Sequence, residues 1–271
     1  MNTPDIRLND NLSIPQIGLG VFQALDGQEV SAIKHALAVG YRHIDTAAIY
    51  HNEAGVGRAM RESGVSRSSI FLTSKVWNDE IRAGNTAAAI DSSLQRLKTE
   101  YLDLMLLHWP VEGRIEGWRA LIDARKAGKV RSIGVSNFLA EHLDELSDAT
   151  DVVPAINQIE FHPWLKQPEI KSACDRLGIV VEAWAPLMRG NFESEPLFAE
   201  VAKECEKTQA QVVLRWALQH GIVIIPKSVN PSRIEENFNI LDFELPATAM
   251  RRIDALDRNQ RIGPDPYNFD F

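Results

Sequence analysis

The stretch Val30–Asp45, VSAIKHALAVGYRHID, holds one complete unit of the fold. Val30, Ile33, Leu37 and Ala38 recur at the three-to-four-residue spacing of a helix with one apolar stripe. Gly40 follows at the point where the chain must leave that helix, and a left-handed C-cap favours a residue without Cβ. Arg42–Ile44 then reads as a short strand, and Asp45 is the ionisable residue at its end.

Outward from this stretch the same order recurs. Short apolar runs stand at Ile17–Val21, Ile70–Ser74, Leu102–Leu107, Ser132–Val135, Ala155–Ile159, Ile179–Ala183 and Ile222–Ile225, which with Arg42–Ile44 makes eight. Several are apolar throughout, as parallel strands covered on both faces must be. Ala87, Ile90, Leu94 and Leu97 form a second helical stripe, and Gly64, Gly128, Gly178 and Gly221 repeat the placing of Gly40. Eight alternating strand–helix units match a closed barrel, which needs roughly 250 residues. An open doubly wound sheet is the alternative. No Pro/Ser/Gly-rich linker, low-complexity tract or charge run marks a boundary, so residues 1–271 are read as a single domain. The expectation is an α/β protein, a (β/α)8 TIM barrel with an N-terminal β-hairpin. That hairpin pairs Ile6–Leu8 with Leu12–Ile14 around the turn Asn9-Asp10-Asn11.

Composition narrows the function. The chain has 29 Lys plus Arg against 37 Asp plus Glu, a net charge of −8, where a nucleic-acid binder shows a basic surplus. The two cysteines, Cys174 and Cys205, form no CxxC pair and flank no His cluster, so neither a metal site nor a disulfide framework is expected. The opening MNTPDIRLNDNLSIPQIGLG lacks the basic start and apolar core of a signal peptide. No apolar run nears the roughly 18 residues of a membrane span. The reading is a cytoplasmic monomer that meets neither nucleic acid nor membrane and whose partner is a small molecule.

In a (β/α)8 barrel the chemistry gathers at the C-terminal ends of the strands. Those ends carry Asp45, with Tyr50 five residues on, then Lys75, His108-Trp109-Pro110, Ser136-Asn137, Gln158 and Glu160, Trp184, and Lys227-Ser228. An Asp after a strand is usually a helix cap, a lone Lys a solvated charge, and Tyr50 alone a surface residue ahead of a helix starting near Asn52-Glu53. Polar groups at seven strand ends on one rim argue jointly for a site.

Five segments in order then carry a resemblance. Gly40–Ala47 (GYRHIDTA), Leu104–Pro110 (LMLLHWP), Ile133–Phe138 (IGVSNF), Asn157–Glu160 (NQIE) and Ile225–Val229 with Arg233–Phe238 (IPKSV, RIEENF) resemble the signature motifs of the aldo-keto reductases, from about residue 12 onward. Asp45–Tyr50 with Trp77, Trp109 and Trp184 is similar, more closely, to the bacterial 2,5-diketo-D-gluconate reductases. The resemblance implies NADPH-dependent reduction of aldehydes and ketones, with Tyr50, Asp45, Lys75 and His108 as the catalytic set.

Carbonyl reduction needs a hydride on carbon, which no side chain can give, and a proton on oxygen. Tyr50 is the candidate acid; Lys75 would favour its phenolate, Asp45 would hold Lys75, and His108 would orient the carbonyl. Gly18-Leu19-Gly20 lacks the third glycine and following helix of a Rossmann turn, so the cofactor is expected after the last two strands instead. There Lys227, Ser228 and Arg233 would read the 2′-phosphate of NADPH. Glu236 and Asn237 would meet the adenine, as the resemblance implies, and Asn230 stands where that subgroup tends to carry another basic residue. Ser136, Asn137 and Gln158 would bind the nicotinamide carboxamide, Trp184 would stack on its ring, and Leu187 would belong to a loop over the pyrophosphate. Met188-Arg189-Gly190 in that loop departs from the glycine-first pattern. Phe22, Ala47, Trp77 and Trp109, with the tail near Phe271, would wall a pocket for small polar carbonyls such as 2,5-diketo-D-gluconate or methylglyoxal, under a mouth left open by a short tail. The other readings are a general aldehyde reductase, a non-catalytic NADPH-binding subunit, and a Schiff-base barrel enzyme built on Lys75.

Overall fold

A computed structural model describes residues 3–271. Two short strands, β1 (Asp5–Arg7) and β2 (Ser13–Pro15), pair antiparallel with Ile6 opposite Ile14. Eight parallel strands follow: β3 (Leu19–Gly20), β4 (His43–Asp45), β5 (Phe71–Val76), β6 (Leu102–Leu107), β7 (Val130–Ser136), β8 (Ile156–Glu160), β9 (Val180–Trp184) and β10 (Val223–Ile224). They lie side by side in chain order. Parallel bridges Ile17–Ile224 and Gly20–Lys227 join the first to the last and close the ring. This is the (β/α)8 barrel, with helices such as Gln28–Val39 and Glu53–Glu62 between the strands.

The strands sit within two or three residues of the expected runs. The first and last are short, because beyond Gly20 and Ile224 the ladder thins to single bridges beside Pro226, which has no N–H to donate. The helical phases differ from expectation at alanines. Ala38 and Ala87 face solvent, and Ala32, Ala36 and Ala89 are buried instead. A methyl group commits weakly to either side, so the larger Ile33, Leu37, Ile90 and Leu97 set the phase.

The hairpin plugs the end of the barrel opposite the strand C-termini. Leu8 and Ile14 pack with Phe71, Leu104, Leu106, Ala155, Ile156 and Val223 as a separate apolar cluster. Asn9 donates to the Pro154 carbonyl at 2.9 Å, and Ser132 donates to Asp10 at 2.7 Å. With the bottom sealed, the open rim is left for ligands. After the helix Ala247–Asp254 the tail returns across that rim. No helix among the described residues is long and apolar enough to cross a membrane, and none of their His, Cys, Asp and Glu groups forms a cluster fit for a metal ion.

Candidate active site

The strand C-termini open into one cleft of about 940 Å³. It runs from Tyr50, Trp77 and His108 at one end to Lys227, Arg233 and Glu236 at the other. Phe22, Asp45, Trp109, Ser136, Asn137, Gln158, Trp184, Leu187, Ser228 and Asn237 also reach its surface. Two expected residues do not. Ala47 has no exposure and turns into the core on extended backbone, leaving Ile49 on the cleft wall. Lys75 lies fully buried beneath the floor.

Three groups from β4, its end and β5 meet under Tyr50: the Asp45 carboxylate, the Thr46 carbonyl and the Lys75 ammonium. Lys75 Nζ donates to Asp45 Oδ1 at 2.7 Å, to Asp45 Oδ2 at 2.9 Å and to the Thr46 carbonyl at 2.9 Å. The Tyr50 hydroxyl lies 3.4 Å from the same nitrogen. Burial alone would lower the Lys75 ammonium, but Asp45 and Tyr50 outweigh it and hold the amine above its ordinary value. Burial raises the Tyr50 phenol, and Lys75 only partly offsets this. The resting hydroxyl therefore stays protonated at neutral pH.

His108 is wedged edge-on between Tyr50, 5.9 Å between ring centroids, and Trp77, 5.1 Å. Burial, and then the Lys75 charge, push its imidazole well below the usual range, so the ring is neutral. Its Nδ1 is buried without a partner, which leaves Nε2 for a ligand.

The next groups along the cleft are tied to each other. Asn137 donates to the His108 carbonyl at 3.0 Å and to Ser136 Oγ at 3.0 Å, and its Oδ1 accepts from the Trp184 indole at 2.8 Å. Ser136 Oγ donates to the Gln158 carbonyl at 2.8 Å. Gln158 Nε2 donates to Asp45 at 2.9 Å and to Glu182 at 3.0 Å. At the far end, Lys227 and Arg233 are exposed and, among the described residues, make no ion pair. Asn230 caps the helix Pro231–Phe238 by accepting from the Arg233 amide at 3.3 Å. The loop Met188–Ser194 carries Arg189 and Gly190 in left-handed backbone.

The tail reaches the pocket wall at Phe271, as expected, and is pinned on its way there. Glu160, which has 1% exposure, accepts from the Ile262 amide at 2.6 Å and the Gly263 amide at 3.2 Å, pinning the tail to the end of β8. Gly263 passes so close to the Trp184 ring that a Cβ would overlap it. Phe271 then stacks on Trp77 at 5.7 Å and meets Trp109 edge-on at 5.1 Å. Sequence reasoning gave no role to Glu160, Glu182 or Ile49. Glu182 had one visible signal, as the sole charge in the apolar run Ile179–Ala183.

A closed barrel with ionisable groups converging at the strand C-termini defines a (β/α)8-barrel protein with an enzyme-like rim cleft. Comparison with known proteins narrows this. Residues 16–258 match the model of the aldo/keto reductase family. The chain is 52% identical over 270 residues to the "Uncharacterized oxidoreductase YtbE" of Bacillus subtilis (strain 168), covering 97% of this chain and 96% of that one. It is 48% identical to the "Glyoxal reductase" of the same organism, covering 96% and 95%. The crystal structure of a Gox0644 mutant in complex with NADPH superposes with a TM-score of 0.94 at 41% identity, covering 100% of each chain. The chain belongs to the aldo/keto reductase family.

Proposed function

We propose that the chain reduces small polar aldehydes and ketones to alcohols with NADPH, using Tyr50 as proton donor. The observation that carries this is the buried Lys75 ammonium, bonded to Asp45 and 3.4 Å from the Tyr50 hydroxyl at the end of the cleft. The cleft fits the cofactor: it has a volume of about 940 Å³, and its far end offers two exposed cations, Lys227 and Arg233, that make no ion pair among the described residues. When bound, NADPH supplies the hydride that no side chain can.

The chain's own residues would do the rest. Lys227 and Arg233 would bind the 2′-phosphate, with Ser228 shaping the turn and Glu236 and Asn237 beside the adenine. Gln158 spends both N–H groups on carboxyls, so its Oε1 is the acceptor left for the carboxamide. Asn137 and Ser136 would fix that end of the ring pocket, and Trp184, held by Asn137, would lie flat against the nicotinamide. Leu187 would cover the pyrophosphate. Neutral His108 would donate from Nε2 to the carbonyl oxygen and align it. Tyr50 would then give its proton to that oxygen, and Lys75 would stabilise the phenolate left behind.

Phe22, Trp77 and Trp109, narrowed by Phe271, favour slim substrates. Dicarbonyls such as glyoxal and methylglyoxal come first, since one relative is named for glyoxal. 2,5-Diketo-D-gluconate belongs to the same chemical class. Tyr50→Phe tests the assignment. It should abolish most methylglyoxal-dependent NADPH oxidation while leaving NADPH binding within about threefold, because only the reacting hydroxyl is lost. Turnover near the wild-type rate would remove Tyr50 from the mechanism.

A further inference from the structure

Strand β9 carries one charged residue, Glu182, and its side chain has no exposure. Gln158 Nε2 donates to Glu182 Oε2 at 3.0 Å and to Asp45 Oδ2 at 2.9 Å, so the two N–H bonds of one amide serve two carboxyl groups. The other oxygen, Oε1, accepts no hydrogen bond and lies 3.5 Å from His43 Nε2.

The titratable groups around Glu182 are His43 and Asp45 from β4, Lys75 from β5 and Tyr50 from the turn after β4. Its register partner on β10 is Val223. Burial holds the His43 imidazole down to about 3, so that ring is neutral and can accept. Lys75 is the one cation, and Asp45 and Thr46 already take its short bonds. A second buried carboxylate would have half an amide for solvation and would face Asp45 through it. That arrangement is costly unless a proton neutralises it.

We infer that Glu182 is a positioning residue kept as a neutral carboxylic acid, which locks the Gln158 amide and leaves Asp45 as the sole anion paired with Lys75. Burial, with Asp45 adding to it, raises this carboxyl to about 8. Protonated, Oε1 can donate toward His43 Nε2, and Oε2 accepts from Gln158. Ionised, it would place a net negative charge beneath Tyr50 and oppose the phenolate that forms as the proton leaves. The kinetic consequence rests on the reductase reading; the protonation state does not.

Two measurements on the intact protein test this. Infrared spectra with ¹³C-labelled glutamate should show a carboxylic acid C=O band at pH 7 that fades near pH 8 and is missing in Glu182→Gln. The variant keeps the shape of a neutral acid. It should therefore keep kcat at pH 7 within about threefold, while the alkaline fall in kcat moves up by about one pH unit or more. Absence of the band from the wild type at pH 7 would overturn the inference even if the variant failed to fold. An unmoved alkaline limb in a folded variant would overturn the coupling to Asp45 and Lys75. A wild type that reduces no carbonyl but shows the band would sink the reductase reading and leave the neutral acid standing.

Discussion

Lys75→Met removes one charge from beneath Tyr50 and replaces a buried side chain of similar length. The ammonium lies 3.4 Å from the phenol oxygen. At an effective dielectric of about 20, unit charges at that distance attract by about 5 kcal/mol. Asp45, on the far side of the ammonium, repels the same developing charge, so the net loss is a few kcal/mol. Each 1.36 kcal/mol is about tenfold in rate, so turnover should fall by about a hundred- to ten-thousandfold. The assay is NADPH oxidation at saturating methylglyoxal, with cofactor affinity followed by quenching of tryptophan fluorescence. Affinity should hold, because Lys75 is fully buried beneath the floor and does not reach the cleft surface. Asp45 would be left buried without its cation, so the variant should lose about 3–5 kcal/mol of stability, the usual cost of removing one partner of a buried pair. A turnover within tenfold of wild type, in a variant shown to be folded at the assay temperature, would refute the electrostatic role. Equal loss of turnover and of NADPH binding would show that Lys75 is structural.

The remaining expectations concern the ends of the cleft and the proton behind it. Arg233→Ala should weaken NADPH by about ten- to a hundredfold, the worth of a charge-assisted bond, and leave NADH unchanged; equal effects in a binding titration would separate Arg233 from the 2′-phosphate. Glu160→Gln replaces a carboxylate that accepts two tail amides with an amide that has one acceptor oxygen. KM for methylglyoxal should rise by up to about fivefold as the tail loses its hold at Ile262 and Gly263, Phe271 itself staying bonded to Asn78 and Arg82, with the Kd of NADPH within about twofold; a larger change in Kd than in KM would contradict this. Glu182 is raised from 4.5 to about 8 in the fold. The native state thus holds a proton that the unfolded chain releases, and its contribution to stability is fully present below pH 4.5 and lost as pH rises through about 8. Denaturant midpoints of Glu182→Gln and wild type should agree near pH 5 and separate in favour of the variant by pH 9; parallel curves would refute the raised carboxyl.

Much of this was legible in the sequence because the barrel repeats a simple grammar. Large β-branched and leucine residues fix the strands, glycines such as Gly40 and Gly178 sit at left-handed backbone where helices end, and polar residues stand just beyond the strands. Alanine carried no such weight, so Ala38 and Ala87 were assigned to the wrong helical face and Ala47 to a wall it does not reach. What the sequence concealed were contacts made by distant segments. Nothing near Glu160 signals that its carboxylate meets Ile262 and Gly263, about a hundred residues away. The sequence placed the tail near Phe271 on the pocket wall but did not show what holds it there, because anchoring depends on partners distant in the chain. Glu182 is the sharper case. In a strand buried on both faces, a charged residue has no cheap place to go, so it must point into the barrel and find a partner or a proton. The sequence shows that such a residue exists. Only the fold shows that the available partner, the Gln158 amide, is shared with Asp45, and this sharing argues for a proton on Glu182.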